Sequence, residues 1–237
     1  VKTLVALNVI AGKGDGSKYD PTGSLTRSEM AKLVTFVLNG GSEPVLGTKA
    51  TPTYSDIKGN WAEAYIEYCS SLGIIAGNGK GQFKPLDTLT GSQAAKMLLV
   101  AMGYNAKVFD FTGSNWEINV NREANDAGLY DELSGMNPSA TISRDDAAQL
   151  VYNAIQAKLM ERSWSQDKTT GAITEIYDKS KTDTLLNTKF GAKTWIGTYV
   201  GNDKTLSALD DNTIRVNGKL DTDNGADSDA DVPSTLS

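Results

Sequence analysis

Pro21-Thr22-Gly23-Ser24-Leu25-Thr26-Arg27-Ser28-Glu29-Met30-Ala31-Lys32 decides the fold, because the same pattern is written three times in one chain. It returns as Pro85-Leu86-Asp87-Thr88-Leu89-Thr90-Gly91-Ser92-Gln93-Ala94-Ala95-Lys96. It returns again as Pro138-Ser139-Ala140-Thr141-Ile142-Ser143-Arg144-Asp145-Asp146-Ala147-Ala148-Gln149. Counted from each proline, position +4 is apolar, +5 carries a hydroxyl, +8 an acid or amide, and +10 is alanine. A fixed period of this kind marks a repeat architecture, in which one unit cannot bury its apolar face alone.

Each copy opens a helix. Thr26 with Glu29 and Thr90 with Gln93 form capping-box pairs, and Ser143 with Asp146 approximates one. Behind these caps apolar residues follow at helical spacing: Ala31, Val34, Val37, Leu38; then Ala95, Leu98, Leu99, Met102; then Ala148, Val151, Ala154, Ile155, Leu159. The upstream halves align too. Trp61 lies twelve residues before Gly73, and Trp116 twelve before Gly128. Gly73-Ile74-Ile75-Ala76-Gly77 matches Asn8-Val9-Ile10-Ala11-Gly12, and a Gly-rich loop follows in both. The spacing predicts a first helix near residues 60–72, with Trp61, Tyr65, Tyr68 or Cys69, and Leu72 on one face and Gly73 as its left-handed end. Each unit then reads helix, Gly-rich turn, extended segment, Pro, helix. Three such pairs can share one core.

Composition removes whole classes of chemistry. There is no histidine among the 237 residues and a single cysteine, Cys69. Ser-His-Asp and Cys-His catalysis, His-based zinc sites and an intramolecular disulfide are therefore excluded. Cys69 is expected to pack as a small apolar group. With 23 Lys and Arg against 29 Asp and Glu, the net charge is −6, which argues against a general nucleic-acid binder. The longest apolar run, Met97 to Met102, is far below the ~20 residues of a membrane span. No signal peptide is visible. The chain begins at Val1 in mid-pattern, as expected of a processed chain or fragment. The Gly-rich loops lack the Lys-Ser/Thr ending of a phosphate loop, and Asp15 and Asp20 do not fit an EF-hand, so no cofactor or metal is expected.

Tyr54-Ser55-Asp56-Ile57, Trp61-Ala62, Tyr65-Ile66, Leu72 to Gly77, Gly81 to Pro85 and Leu89-Thr90 together resemble an S-layer homology (SLH) repeat, and Thr26-Arg27-Ser28-Glu29 looks like that family's Thr-Arg-Ala-Glu signature. The resemblance covers residues 1–162. It implies a mainly α fold, a pseudo-threefold bundle of three helix-loop-helix repeats. It also implies a job: non-covalent binding of pyruvylated secondary cell-wall polymer in grooves between repeats, anchoring an S-layer or surface protein outside the cell. Its typical groove residues are the signature arginine and the upstream tryptophan, here Arg27, Arg144, Trp61 and Trp116. Gly91 replaces the arginine in the second copy, so unequal grooves are expected.

The residues themselves bear on this. Thr26 and Glu29 are explained as a cap. Arg27 and Arg144 are not, because a cation in the first turn opposes the helix dipole at a cost of ~0.3–1 kcal/mol. A guanidinium beside free helix N–H groups would suit a carboxylate such as that of a pyruvyl ketal. Trp61 and Trp116 read either as core or as indoles that stack on a sugar. Gly79, Lys80 and Lys84 sit at the Gly-rich turn, where backbone amides and positive potential could touch the polymer. With Thr26 and Glu29 they complete the candidate ligand set.

The expected organisation is repeat 1 at 1–40 with its first helix truncated, a linker at 41–53, repeat 2 at 54–104 and repeat 3 at 105–162. A small antiparallel β region follows at 163–220 and an acidic loop or linker at 221–237. Candidate strands are 173–177, 194–200, 205–209 and 213–216, with turns at 201–203 and 210–212. Two readings compete with anchoring: a lattice-forming S-layer protein whose bundle has lost part of its polymer binding, and a carboxylate glycosidase. The second needs an acid pair across a cleft, and none stands out, so no enzyme is expected. Other S-layer subunits are candidate partners beside the polysaccharide.

Overall fold

Thr26, Thr90 and Ser143 each end an extended segment and begin a helix. Their backbone angles are nearly the same, φ −88°, ψ 161°; φ −84°, ψ 164°; and φ −75°, ψ 161°. A computed structural model describes residues 1–12, 18–192, 195–202, 204–205, 207, 209, 213–220 and 228–233. The capped helices are α2 (Arg27–Leu38), α4 (Gly91–Ala101) and α6 (Arg144–Gln156). Thr26 and Thr90 close complete capping boxes with Glu29 and Gln93, whereas Ser143 receives only the Asp146 N–H. The preceding helices are α1 (Lys2–Ala6), α3 (Glu63–Ser71) and α5 (Trp116–Asp126).

The extended segments before the capped helices bond to one another in a closed cycle. Leu25 N–H donates to Ile142 O (3.4 Å), Leu89 N–H to Leu25 O (3.2 Å), and Ile142 N–H to Leu89 O (3.0 Å). All three side chains are buried. The next residues continue the pattern. Arg27, Gly91 and Arg144 N–H donate to the carbonyls of Asp87, Ala140 and Gly23, at 2.9, 3.2 and 2.8 Å. Ser28, Ser92 and Asp145 N–H donate to those of Pro85, Pro138 and Pro21, at 3.1, 2.8 and 3.0 Å. Each helix start is thus satisfied by the proline segment of another copy. Helix α2 packs against α3, α4 against α5, and α1 against α6, over a continuous apolar core. Cys69 lies in that core beside Thr35, and burial pushes its thiol up to about 11.

Gly73 takes the left-handed conformation (φ +70°) expected of a helix end. At Gly77 a Cβ would lie 2.6 Å from Gln82 O and 2.7 Å from the Tyr54 ring, so only glycine permits that approach. Helix α3 starts at Glu63 rather than near Asn60, because Asn60 Oδ1 takes the Ala62 N–H in a turn. Trp61 therefore stands outside the helix.

Helix α6 stops at Gln156, and Leu159 falls in strand β1 (Lys158–Gln166) rather than continuing the helical stripe. Strand β1 pairs antiparallel with β2 (Ile173–Thr184). This hairpin is held at its base: Met160 N–H donates to Met102 O (2.9 Å), Lys179 Nζ to Asp126 O (2.7 Å), and Tyr177 meets Phe109 edge-on. A short helix α7 (Leu185–Phe190) returns to α2 and α6. Strands β3 (Trp195–Asn202), β4 (Thr213–Leu220) and β5 (Ser228–Pro233) form an antiparallel sheet in the order β3-β4-β5. The strand expected at 205–209 is absent at its described residues. Thr205 instead closes a turn on Asn202, with its N–H on Asn202 O (2.9 Å). The hairpin turn expected at 201–203 starts later, since Gly201 and Asn202 still belong to β3. The acidic stretch expected as loop contains β5, where alternation in Asp229-Ala230-Asp231-Val232 was masked by the charge. The turn expected at 210–212 lies outside the described residues.

Candidate functional site

The cyclic bonding carries side chains of one copy into the territory of another, and two grooves result. The first, about 320 Å³, is lined by the Val9–Gly12 loop, by Glu29, Lys32 and Phe36 of α2, by Trp61, and by Arg144 of α6. The second, about 310 Å³, is lined by Ile74–Gly77, by Gln93, Lys96 and Met97 of α4, by Phe111 and Trp116, and by Arg27 of α2. Position by position the two match: Arg144 with Arg27, Lys32 with Lys96, Trp61 with Trp116, Glu29 with Gln93. Each groove draws on all three copies of the sequence repeat.

The arginines are not over free helix N–H groups. Those groups are occupied by the carbonyls described above, and the third by the Thr26 or Ser143 hydroxyl. The helix-end anion site expected from sequence is therefore not there. Arg27 escapes the dipole penalty by reaching across the junction. Its Nε donates to Phe83 O (2.8 Å), its Nη2 to Ala76 O (3.0 Å), and its guanidinium lies 4.4 Å over the Phe83 ring. Burial lowers its pKa from the ordinary value. Arg144 takes a different partner: Nη1 donates to Glu29 Oε1 at 2.8 Å, with the two side chains 13% and 29% exposed. Glu29 Oε2 meanwhile accepts from Thr26 N–H and Oγ1 at 2.8 and 2.9 Å. Thr26 is a cap and lines neither groove.

Trp61 is 56% exposed and edge-on to Tyr65, so it is no core residue. Trp116 is half-buried against the core, under the Lys96 ammonium at 5.5 Å. Lys96 Nζ donates to Phe111 O at 2.5 Å, and burial lowers its pKa. Lys32 instead hangs over Phe36 and Tyr65, at 5.2 and 5.8 Å. Gly79, Lys80 and Lys84 belong to an exposed turn and line neither groove. Lys80 N–H is held by Asn78 Oδ1 and Lys84 N–H by Asp56 Oδ2.

Sequence reasoning missed Lys32 and Lys96. Their signal was in the repeat itself, a lysine at +11 from the proline in the first two copies, replaced by Gln149 in the third. The third copy's partner groove would take Gly91 in place of an arginine. There a Cβ would already stand 3.0 Å from Pro138 Cα. Arginine, lysine and indole in one cleft suit an anionic sugar: two cations for a carboxylate and an aromatic face for the ring.

The S-layer homology domain family matches residues 1–31 and 53–95. These two segments are similar to the S-layer homology domain, and relatives of the chain include bacterial S-layer and cell-wall proteins, which agrees with a place at the cell surface. It is 29% identical over 163 residues to the middle cell wall protein of Brevibacillus brevis, covering 68% of this chain and 15% of that protein. It is 29% identical over 203 residues to an S-layer protein of Bacillus licheniformis, covering 79% and 22%. It is 28% identical over 174 residues to exoglucanase XynX of Acetivibrio thermocellus, covering 71% and 15%. The chain thus spans less than a quarter of these relatives' lengths. Among the described residues, no helix is long and apolar enough to cross a membrane.

Proposed function

We propose that this chain anchors its parent protein by holding pyruvylated secondary cell-wall polymer in the two grooves between repeats. Anchoring to the cell wall is the general role of the S-layer homology domain; the polymer and its site are the finer reading. The observation that carries it is the doubled constellation of guanidinium, ammonium and indole, assembled twice from different copies of one motif. In each groove the arginine and lysine face the ketal carboxylate and the indole takes the sugar ring. We propose further that 1–40, 54–104 and 105–162 are the repeats, joined by a linker at 41–53 and arranged about a pseudo-threefold axis. The cyclic bonding of Leu25, Leu89 and Ile142 supports that arrangement. On this reading 163–220 is a small β-rich region whose first hairpin and α7 dock on the helices, the chain itself is no enzyme, and other S-layer subunits are its protein neighbours.

The test is co-sedimentation with purified sacculi, intact or stripped of secondary polymer. Wild type is expected to pellet only with intact sacculi, and Trp116→Ala and Lys96→Gln to pellet less. Equal binding to stripped sacculi would refute the reading. A second reading, lattice assembly with reduced polymer binding, is favoured by Gly91, which removes one arginine, and by the Glu29–Arg144 pair, which neutralises another. It predicts ordered self-association without sacculi.

A further inference from the structure

The two grooves share every functional part but one. Glu29 in the first is Gln93 in the second. Both side chains do the same local job, accepting the backbone N–H of their N-cap threonine, at 2.8 Å for Glu29 and 3.1 Å for Gln93. Only the carboxylate has charge left over, and it goes to Arg144 at 2.8 Å. Among the described residues, Glu29 is the one acid lining the first groove, and the lining of the second holds none. Among the described lining residues the first therefore presents Arg144 and Lys32 against Glu29, one net positive charge, and the second presents Arg27 and Lys96, two. Arg27 spends two of its five N–H donors on carbonyls, which carry no net charge, and feels Asp87 and Asp56 only through space, whereas Arg144 is bonded directly to a carboxylate.

We propose that the second groove is the dominant, salt-sensitive anion site of this chain, and that the residue at the Glu29/Gln93 position sets the rank of the two. The assignment rests on the polymer-binding reading above and takes the same ligand class, a carboxylate-bearing sugar. A carboxylate a few ångströms from the bound anion, in a groove of intermediate dielectric, is worth about tenfold in affinity or more.

Each groove owns one indole, so occupancy can be read separately. The 15N-labelled protein is titrated with a soluble pyruvyl-ketal monosaccharide, following the indole N–H signals assigned by Trp61→Phe and Trp116→Phe. The Trp116 signal is expected to saturate at roughly tenfold lower sugar than Trp61, and to lose more of that affinity as salt rises. Gln93→Glu preserves the helix cap, as Glu29 does at Thr26, and is expected to raise the Trp116 midpoint about tenfold. Glu29→Gln is expected to lower the Trp61 midpoint. Saturation of Trp61 first, or no response to either exchange, overturns the ranking while leaving polymer binding intact. Silence of both indoles overturns the polymer-binding reading itself, and this assignment with it.

Discussion

Replacing Arg27 with alanine should unfold the chain more easily before it weakens any ligand contact. The guanidinium makes two hydrogen bonds to carbonyls of the second copy and covers one face of Phe83. A charge-assisted bond at a part-buried site contributes about 1.5–3 kcal/mol, and the stacked cation adds about 0.5–1 kcal/mol. The bond to Ala76 O lies at the open groove, where water replaces it at little cost. Relief from burying the charge offsets part of the sum. A net loss of about 2–3 kcal/mol follows, equivalent to roughly 5–10 °C in Tm for a domain of this size. Arg27→Lys keeps the charge but not the fork, so it should recover about half of that loss. Urea unfolding followed by tryptophan fluorescence measures both. If Arg27→Ala unfolds within about 0.5 kcal/mol of wild type, the guanidinium is not holding the second copy's loop, and its place as a bridge between copies is refuted.

Other outcomes follow from the same geometry. Leu89→Ala removes a buried member of the central cycle and should cost about 2–5 kcal/mol in urea unfolding. Glu67 is 4% exposed. Burial raises its pKa, but bonds from Lys49 and from Thr53 N–H and Oγ1 outweigh this and hold it below the usual 4.5. A lowered folded-state pKa gives stability that is full above the unfolded value and lost as pH falls below it. Glu67→Gln should therefore flatten the acid limb of the stability profile below about pH 4.5. Cys69, its thiol pushed up to about 11, should react with a thiol reagent at neutral pH only at the rate of unfolding. Gly91→Arg should lower Tm, because its side chain must begin 3.0 Å from Pro138 Cα.

Local devices were legible in the residues. The capping boxes at Thr26 and Thr90 and the left-handed Gly73 are written within four residues of where they act. The proline offsets revealed the repeat without any contact being known. What the residues could not show is where a side chain goes when it leaves its own copy. Arg27 was legible as misplaced over its helix, but its acceptors, Phe83 O and Ala76 O, lie 56 and 49 residues away. Distance along the chain also hid the fate of the helix N–H groups, which sequence left free and the carbonyls of the other copies' proline segments occupy. Trp61 read either as core or as a groove indole, because its spacing was counted on a helix that begins only at Glu63. The third strand of the small sheet was unreadable because alternate aspartates give its period-two pattern the composition of a loop.

The cycle through Leu25, Leu89 and Ile142 makes the three copies indivisible. In an open array such as a solenoid, units can be gained or lost one at a time, since each touches only its neighbours. Here the last copy supplies the arginine of the first groove, and the first supplies that of the second. Excising one copy would strip both clefts together, and inserting a fourth would break the closure. The three copies together are thus the smallest piece that keeps either groove, and a chain of this design can add grooves of this kind only by gaining whole triplets.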